Sequence, residues 1–503
     1  MPVKEIIAET SQPTAPAPTV PASTRPTPSL PTKVGFVSLG CPKNLVDSEV
    51  MMGMLAQAGA ALTPDAADAD VIVVNTCSFI GSAQQESIDT ILEMARHKTN
   101  GKTKRLVVAG CLVERFHDEI RKNIPEVDAV VGTGELEKIL SAAGVAQAQP
   151  TPSPFNILTS RPEGDHRRTQ GRFARDSWDG AVADLPNYLY DDHTPRVLTT
   201  PGYSAYIKIA EGCDHPCSFC IIPQLRGQFR SRRFESVIAE AERLAHSGVR
   251  EITLIGQDTT CYGEDLGLKD GLALLLEKLA AIEDLRWIRF LYAYPNKITG
   301  RLLDTIAAHE NICSYIDVPL QHASATVLKR MKRGGGADLF LRSIEKMRRI
   351  IPGVTLRTSF IVGFPGETEK EFEELYGFVK DAAFDWMGAF AYSDQEGAGA
   401  YDHEKKLSTR EIESRRKSLM SLQKKVSKAK KKSLVGQEFD LLLEGPSLES
   451  DLLLEGRTAM HAPEIDGTVF VNDYPEGNEP KEGEFYRCRI TAAHDYDLVA
   501  EIV

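Results

Sequence analysis

From Lys33 onward the chain alternates short apolar runs with segments whose apolar positions recur at helical spacing. Val34–Leu39, Val71–Val74 and Leu106–Ala109 are such runs, separated by segments such as Asp47–Ala58 and Gln84–Ala95. Short apolar runs read as strands, and strands alternating with helices predict an α/β domain with a parallel sheet. A fourth run, Ala129–Val131, completes this first domain, 33–145. The alternation resumes at Tyr203. Ala205–Ala210, Ile252–Ile255, Ile288–Tyr292, Tyr315–Pro319, Leu356–Val362 and Met387–Tyr392 read as strands, with helices such as Val237–Ser247 between them. Six βα units are fewer than the eight of a closed barrel, so 201–434 is expected to form an open, partial (β/α)6 barrel. The segment Glu404–Ser433 reads as a strongly basic helix. From Val435 to the end, short β runs (Phe439–Leu443, Thr468–Val471, Phe485–Ile490) between Gly and Pro turns predict a small all-β barrel over 435–503.

Two stretches break the pattern. Residues 1–32 hold eight prolines among Ala, Thr and Ser, a composition that cannot bury enough apolar surface to offset its ordering entropy, so disorder is expected. Residues 146–200, rich in Pro, Gly, Asp and Arg, read as a linker or surface insertion. No apolar run approaches the roughly 20 residues of a membrane span, and Val3–Ala8 is too short for a secretory signal core. A cytoplasmic protein with no membrane partner is the expectation.

The nine cysteines are too few for a disulfide scaffold in a chain of this length, and three of them fall within eight residues. Glu211-Gly-Cys213-Asp-His-Pro-Cys217-Ser-Phe-Cys220 places a C-x3-C-x2-C loop directly after a strand, so three thiolates can converge on one centre. Iron–sulfur clusters normally take four cysteines, and three leave one iron open to a substrate or cofactor. The alternative is zinc, which would need a fourth Cys or His to close its tetrahedron; His215 lies inside the loop, poorly placed to do so. Further on, Ser359-Phe-Ile-Val-Gly-Phe-Pro-Gly-Glu-Thr-Glu369 sets two glycines at a strand end, where backbone can approach a nucleotide closely. This arrangement resembles the radical S-adenosylmethionine superfamily, which implies reductive cleavage of the sulfonium and a 5′-deoxyadenosyl radical.

Cys41, Cys77 and Cys111 are spaced about one βαβ unit apart, and each follows an apolar run. In a parallel sheet all strand carboxyl ends share one edge, where ligands bind, so these thiols are expected to converge although the sequence scatters them. Three ordinary buried cysteines are the alternative. Cys261, Cys313 and Cys488 share no such arrangement and read as structural.

A flavodoxin-like N-terminal domain with three cysteines, a radical barrel and a terminal β module together resemble the methylthiotransferases. That resemblance covers nearly all of 33–503, and it implies two 4Fe-4S clusters, S-adenosylmethionine, sulfur delivery from the N-terminal cluster and a TRAM-like substrate-binding module. Ser38-Leu-Gly-Cys-Pro-Lys-Asn-Leu-Val-Asp-Ser-Glu49, Gln257-Asp-Thr-Thr-Cys-Tyr-Gly263, Tyr292-Ala-Tyr-Pro295, Tyr315-Ile-Asp-Val-Pro-Leu-Gln-His322 and Ile221-Ile-Pro-Gln-Leu-Arg-Gly227 resemble its RimO branch. The tRNA-modifying, MiaB-like branch typically has Gln-Met-Asn after its first cysteine. Charge agrees with a protein substrate: residues 435–503 carry sixteen acidic against four basic side chains, a net −12 equal to that of the whole chain. A tRNA-binding surface should be basic; an acidic one suits a basic ribosomal protein.

The resemblance thus implies methylthiolation of an aspartate β-carbon in small-subunit ribosomal protein S-twelve, free or in the ribosome. One S-adenosylmethionine would supply the methyl and another the radical, with an electron donor such as a flavodoxin. It assigns Cys213, Cys217 and Cys220 to the radical cluster and Cys41, Cys77 and Cys111 to the auxiliary one. Arg357, Gly363, Gly366, Glu367, Gln257 and Asp258 are candidate cofactor contacts; no side chain is assignable as general acid or base. The alternatives are a tRNA adenosine methylthiotransferase and, in another class, a non-catalytic iron–sulfur redox protein.

Overall fold

The computed structural model describes residues 31–145 and 185–503, apart from Asp451 and Asn478. The Pro-rich tail up to residue 30 and positions 146–184 of the expected linker lie outside the described residues. Thr32–Val503 forms one unit.

The first sheet is built from β1 (Lys33–Ser38), β2 (Ala61–Thr63), β3 (Val71–Thr76), β4 (Arg105–Gly110) and β5 (Ala129–Val131), in the order β2-β1-β3-β4-β5. All its pairings are parallel. This is the flavodoxin-like order, in which the connections diverge between β1 and β3 and open a crevice at their carboxyl ends. β3 is buried along its whole length, which is why its sequence runs apolar without alternation. β2 was not expected; its three half-buried edge residues carry no apolar run.

The barrel strands are β6 (Ser204–Lys208), β9 (Glu251–Ile255), β10 (Trp287–Phe290), β11 (Tyr315–Asp317), β12 (Thr355–Val362) and β13 (Trp386–Ala391), with a short antiparallel pair, β7 (Ala210–Glu211) and β8 (Arg230–Ser231), at the mouth. They form two parallel three-stranded sheets, β6-β9-β10 and β11-β12-β13, joined by a parallel bridge between Ile288 and Ile312. The basic helix spans Thr409–Lys432, later than its expected start, because Ser408 caps it by accepting the Glu411 N–H. Part of its charge is spent on packing: Lys424 pairs with Asp495 of the terminal module at 2.7 Å. That module is a closed barrel of β14 (Glu438–Pro446), β15 (Leu454–Thr458), β16 (Val469–Asp473), β17 (Phe485–Ala493) and β18 (Leu498–Ile502).

Two joints hold these layers together and set the orientation of the site. The end of β15 and the loop after it stopper the amino end of the radical barrel. Arg457 pairs with Glu251 at 2.7 Å, the Tyr315 hydroxyl donates to Asp466 at 2.6 Å, and the Trp386 indole donates to the Met460 carbonyl at 2.8 Å. Glu251, Tyr315 and Trp386 each begin a strand, so the module closes one end of the barrel and leaves the carboxyl end as the mouth.

The second joint is the run 185–200, expected as linker but packed as a strap. Arg196 spans Glu49 on the first long helix (Pro42–Gln57) and Glu240 on a barrel helix, at 2.6 and 2.7 Å. Gly53 lets the strap lie flush, since a Cβ there would sit 2.3 Å from the Pro195 carbonyl oxygen. Among the described residues no helix is long and apolar enough to cross a membrane.

Candidate active site: two cysteine sets at the barrel mouth

Cys41 ends the β1 turn and opens the helix Pro42–Gln57, whose first residue is a proline that suits a position with no hydrogen bond to lose. Cys77 follows β3 directly, and Cys111 begins the helix after β4. The three therefore leave neighbouring strands at one edge. A Cβ on Gly40 would lie 3.1 Å from the Cys77 sulfur, so the Cys41 turn passes close over that thiol. Cys111 Sγ lies 4.0 Å from Asn44 Oδ1, and the Arg226 guanidinium acts electrostatically on all three thiols. Burial pushes Cys111 up to about 12 and raises Cys77. At Cys41 burial acts the same way, but Lys43 and Arg226 outweigh it and bring the thiol below its usual value.

In the barrel, Cys213, Cys217 and Cys220 lie on the loop between β7 and the short helix Ile222–Arg226. The Cys213 N–H donates to the Gly227 carbonyl at 3.1 Å and the Cys220 N–H to the Cys217 carbonyl at 3.1 Å, folding the loop on itself. The Ile222 N–H points at the Cys220 sulfur at 3.4 Å, and Arg333 donates to the Cys217 sulfur at 3.5 Å. Burial raises the Cys213 thiol and takes Cys220 up to about 12.

The two sets share a wall. Cys111 packs against Ile221 and Leu225, directly beyond Cys220. Arg226, at the end of that helix, donates to Asn44 Oδ1 at 2.7 Å and to Asp47 at 2.5 Å. Lys208 completes a buried tetrad by pairing with Asp47 and with Glu211, the latter at 2.6 Å. Two cations facing two carboxylates satisfy the rule that buried charges come paired. Against the effect of burial, Lys208 and Arg226 hold the Glu211 carboxyl well below the usual carboxylate range. Asp47 belongs to the N-terminal domain and the other three to the barrel.

The expected cofactor contacts divide. Gln257 lies at the mouth, donating to Glu211 at 2.7 Å while its own buried carbonyl oxygen has no partner. Asp258 accepts from His215 at 2.6 Å, and the imidazole stacks on Tyr294 with centroids 3.8 Å apart. Arg357 pairs with Asp317 at 2.9 Å and reaches Asp466 of the terminal module at 3.4 Å. Gly363 has a reason the sequence did not show: a Cβ there would lie 2.4 Å from Ile412 of the basic helix. Glu367 turns inward, accepting the Gly363 N–H at 2.8 Å and the Arg415 guanidinium at 2.6 Å. Gly366, with φ +76°, stays open: a Cβ there would meet nothing nearer than Arg330 at 3.9 Å.

Lys43, Asn44, Arg226 and the two mouth tyrosines were legible only as parts of motifs, and Arg333 in none of them, since their partners lie far away in sequence. Among the described residues, His215, Asp258 and Cys261 are the group of three whose donor atoms lie within 4.8 Å of one another, and hydrogen bonds at 2.6 and 3.0 Å already account for it. Neither cysteine triad is that tight. A lone zinc with bonds of about 2.3 Å would draw its thiolates closer, whereas a cluster of several irons is wider.

Three family models match the chain: the uncharacterized protein family UPF0004 over residues 33–132, the Radical SAM superfamily over 207–379 and the TRAM domain over 435–503. The solved radical S-adenosylmethionine methyltransferase TsrM of Kitasatospora setae shares the fold at a TM-score of 0.50 and 15% identity, over 74% of each chain. Fold and site thus define a radical S-adenosylmethionine enzyme with a TRAM module. The ribosomal protein uS12 methylthiotransferase RimO of Koribacter versatilis is 69% identical over 485 residues, 94% of this chain and 96% of its own length. Its namesake from Solibacter usitatus is 56% identical, over 94% and 95%. The chain belongs to the RimO methylthiotransferase family. It is a radical enzyme whose family brings S-adenosylmethionine and a 4Fe-4S cluster.

Proposed function

We propose that this enzyme methylthiolates the β-carbon of an aspartyl residue in uS12, the S-twelve protein of the small ribosomal subunit, using two 4Fe-4S clusters. Cys213, Cys217 and Cys220 would hold the radical-generating cluster, and Cys41, Cys77 and Cys111 the auxiliary one. The observation that carries this reading is the shared wall: three thiols from three strand ends lie beside the barrel's cysteine loop, with Arg226 between. With S-adenosylmethionine, the barrel cluster supplies a 5′-deoxyadenosyl radical when bound.

The chain's own residues do the rest. Arg333 and the Ile222 N–H donate to the Cys217 and Cys220 sulfurs and so help fix where the ligand loop presents them. His215, fixed by Asp258 and Tyr294, braces the ligand loop. The unpartnered Gln257 carbonyl oxygen offers an acceptor at the mouth, and Gly366 leaves room for a group to approach. Gly363 and Glu367 support the same turn from behind rather than from the mouth. The stretches 33–145, 201–434 and 435–503 act as sulfur-donor, radical and substrate-docking units.

The terminal module supports a protein substrate. Of its sixteen acids the Asp466 side chain is buried in the barrel joint, as is Arg457 of its four bases, so the balance of −12 remains on the rest. Asp473, Glu476, Glu479, Glu482 and Glu484 are exposed on one stretch with Lys481, a surface for a basic protein rather than for tRNA. Reductive cleavage of the sulfonium calls for an electron donor such as a flavodoxin, and a ribosomal substrate fits a cytoplasmic setting.

The test is anaerobic reconstitution followed by methyl-labelled S-adenosylmethionine offered with uS12, small subunits and total tRNA. Label should enter uS12 and iron should reach about eight per chain, falling to about four in the Cys41→Ala/Cys77→Ala/Cys111→Ala variant. Label confined to tRNA, or four irons in the unmodified enzyme, would overturn the reading.

A further inference from the structure

Lys43 is a buried cation with no acid to pair with. It is 8% exposed, and its ammonium donates to the Gly256 carbonyl at 3.3 Å and sits 3.5 Å over the Tyr292 ring. Among the described residues no carboxylate lies within 4.0 Å of it. Its neighbours at the mouth differ. Lys208 and Arg226 share Asp47 and Glu211, and Arg357 holds Asp317. An unpaired ammonium in a desolvated place is costly, and a carbonyl and a ring face compensate it only in part.

Its position gives that cost a purpose. Lys43 comes from the N-terminal domain, two residues after Cys41, whose thiol its charge acts on, and its ammonium reaches across to two barrel partners: Gly256 at the carboxyl end of β9 and Tyr292 beyond β10. Gly256 immediately precedes Gln257, which is bonded to Glu211, two residues before Cys213. The ammonium thus links the turn that carries Cys41 to the strand end beside the Glu211–Cys213 segment. Tyr292 is itself held in a left-handed conformation, φ +66°, with its N–H bonded to Asp317 at 2.9 Å. Such strain in a non-glycine residue persists where surrounding structure imposes it, commonly at working sites.

We infer that Lys43 is the receptor for the carboxylate of the substrate's aspartyl side chain, holding its β-carbon between the two cysteine sets and selecting an acid over its amide. The inference rests on the protein-aspartate reading above. The ammonium donates a charge-assisted hydrogen bond to the carboxylate, while Tyr292 limits where the side chain can lie. The neutral amide of asparagine offers no charge in return and leaves Lys43 uncompensated, so discrimination of tenfold or more is expected. The competing account is that Lys43 merely balances the thiolates of the auxiliary cluster.

The experiment uses reconstituted holoenzyme and two forms of uS12, one with the target aspartate and one with asparagine in its place. Kd for both is measured for the unmodified enzyme and for Lys43→Met and Lys43→Arg, alongside iron content and cluster absorbance. The unmodified enzyme should bind the aspartate form about tenfold more tightly or better. Lys43→Met should erase that difference at unchanged iron, and Lys43→Arg should restore part of it. A difference that survives in Lys43→Met overturns the inference, as does iron lost from that variant, which would make Lys43 a cluster counter-ion. An unmodified enzyme that labels uS12 yet binds both forms equally sinks this inference alone. Label entering tRNA instead sinks the underlying substrate reading.

Discussion

At the scale of single residues, the chain spends charge where burial makes it expensive, and the local partner decides what that costs. Lys208, Arg226 and Arg357 are each repaid by carboxylates. Lys431 is not: it is 5% exposed, with its ammonium over the Trp386 ring at 3.5 Å and on the Ser427 hydroxyl at 2.9 Å. Burial pulls it down to about 8 from the ordinary 10.5. Because the unfolded chain then binds the extra proton between those values, stability rises with pH from about 8 to 10.5. Lys431→Met should therefore stabilise the protein by about 3 kcal/mol at pH 7, and the gain should fade by pH 10.5. Thermal midpoints at pH 7 and pH 10 check this; a gain that grows with pH would contradict the assignment.

At the scale of elements, what distinguishes this barrel is how closely other segments approach it. Gly53 and Gly363 each mark a close crossing, as Pro195 and Ile412 occupy the space beside them. Gly53→Ala keeps helix propensity favourable but forces the strap off the helix, so a net loss of about 1–3 kcal/mol is expected. Hydrogen exchange should quicken at 190–199 more than in the body of Pro42–Gln57; uniform protection in both would show the strap to be loosely held. The strands were legible where apolar runs reached about four residues, as Val71–Val74 in β3 and Leu106–Ala109 in β4. β2 and two of the five module strands, β15 and β18, were missed, being short edge or half-exposed strands whose pattern depends on partners distant in sequence.

At the scale of the whole molecule, the terminal module does two jobs with opposite faces. Its outer face is acidic, while Arg457 and Asp466 point inward and stopper the barrel. Glu251 lies between Arg457 and Arg289, fully buried. Arg457→Ala would leave the Glu251 charge half-compensated, a loss of about 3–5 kcal/mol. Trp287 and Trp386 both sit at this joint, Trp287 edge-on to Phe485 at 4.8 Å. A red shift of tryptophan emission at temperatures where the unmodified enzyme is intact should report the opened joint. An unshifted spectrum at an unchanged midpoint would make the joint dispensable.

The sequence by itself determined the class of chemistry. Thiol spacing is local in Cys213–Cys220, and strand order converts the spacing of Cys41, Cys77 and Cys111 into a shared edge, so both sets could be read from runs of a few residues. Only the tertiary structure decided which charges face one another. The Asp47–Lys208–Glu211–Arg226 tetrad and the solitary Lys43 join residues up to about two hundred positions apart, as Lys43 and Gly256 are. Whether a buried charge is paired or left waiting is a property of the packed interior, because desolvation and its compensation exist only once both partners have been brought out of water.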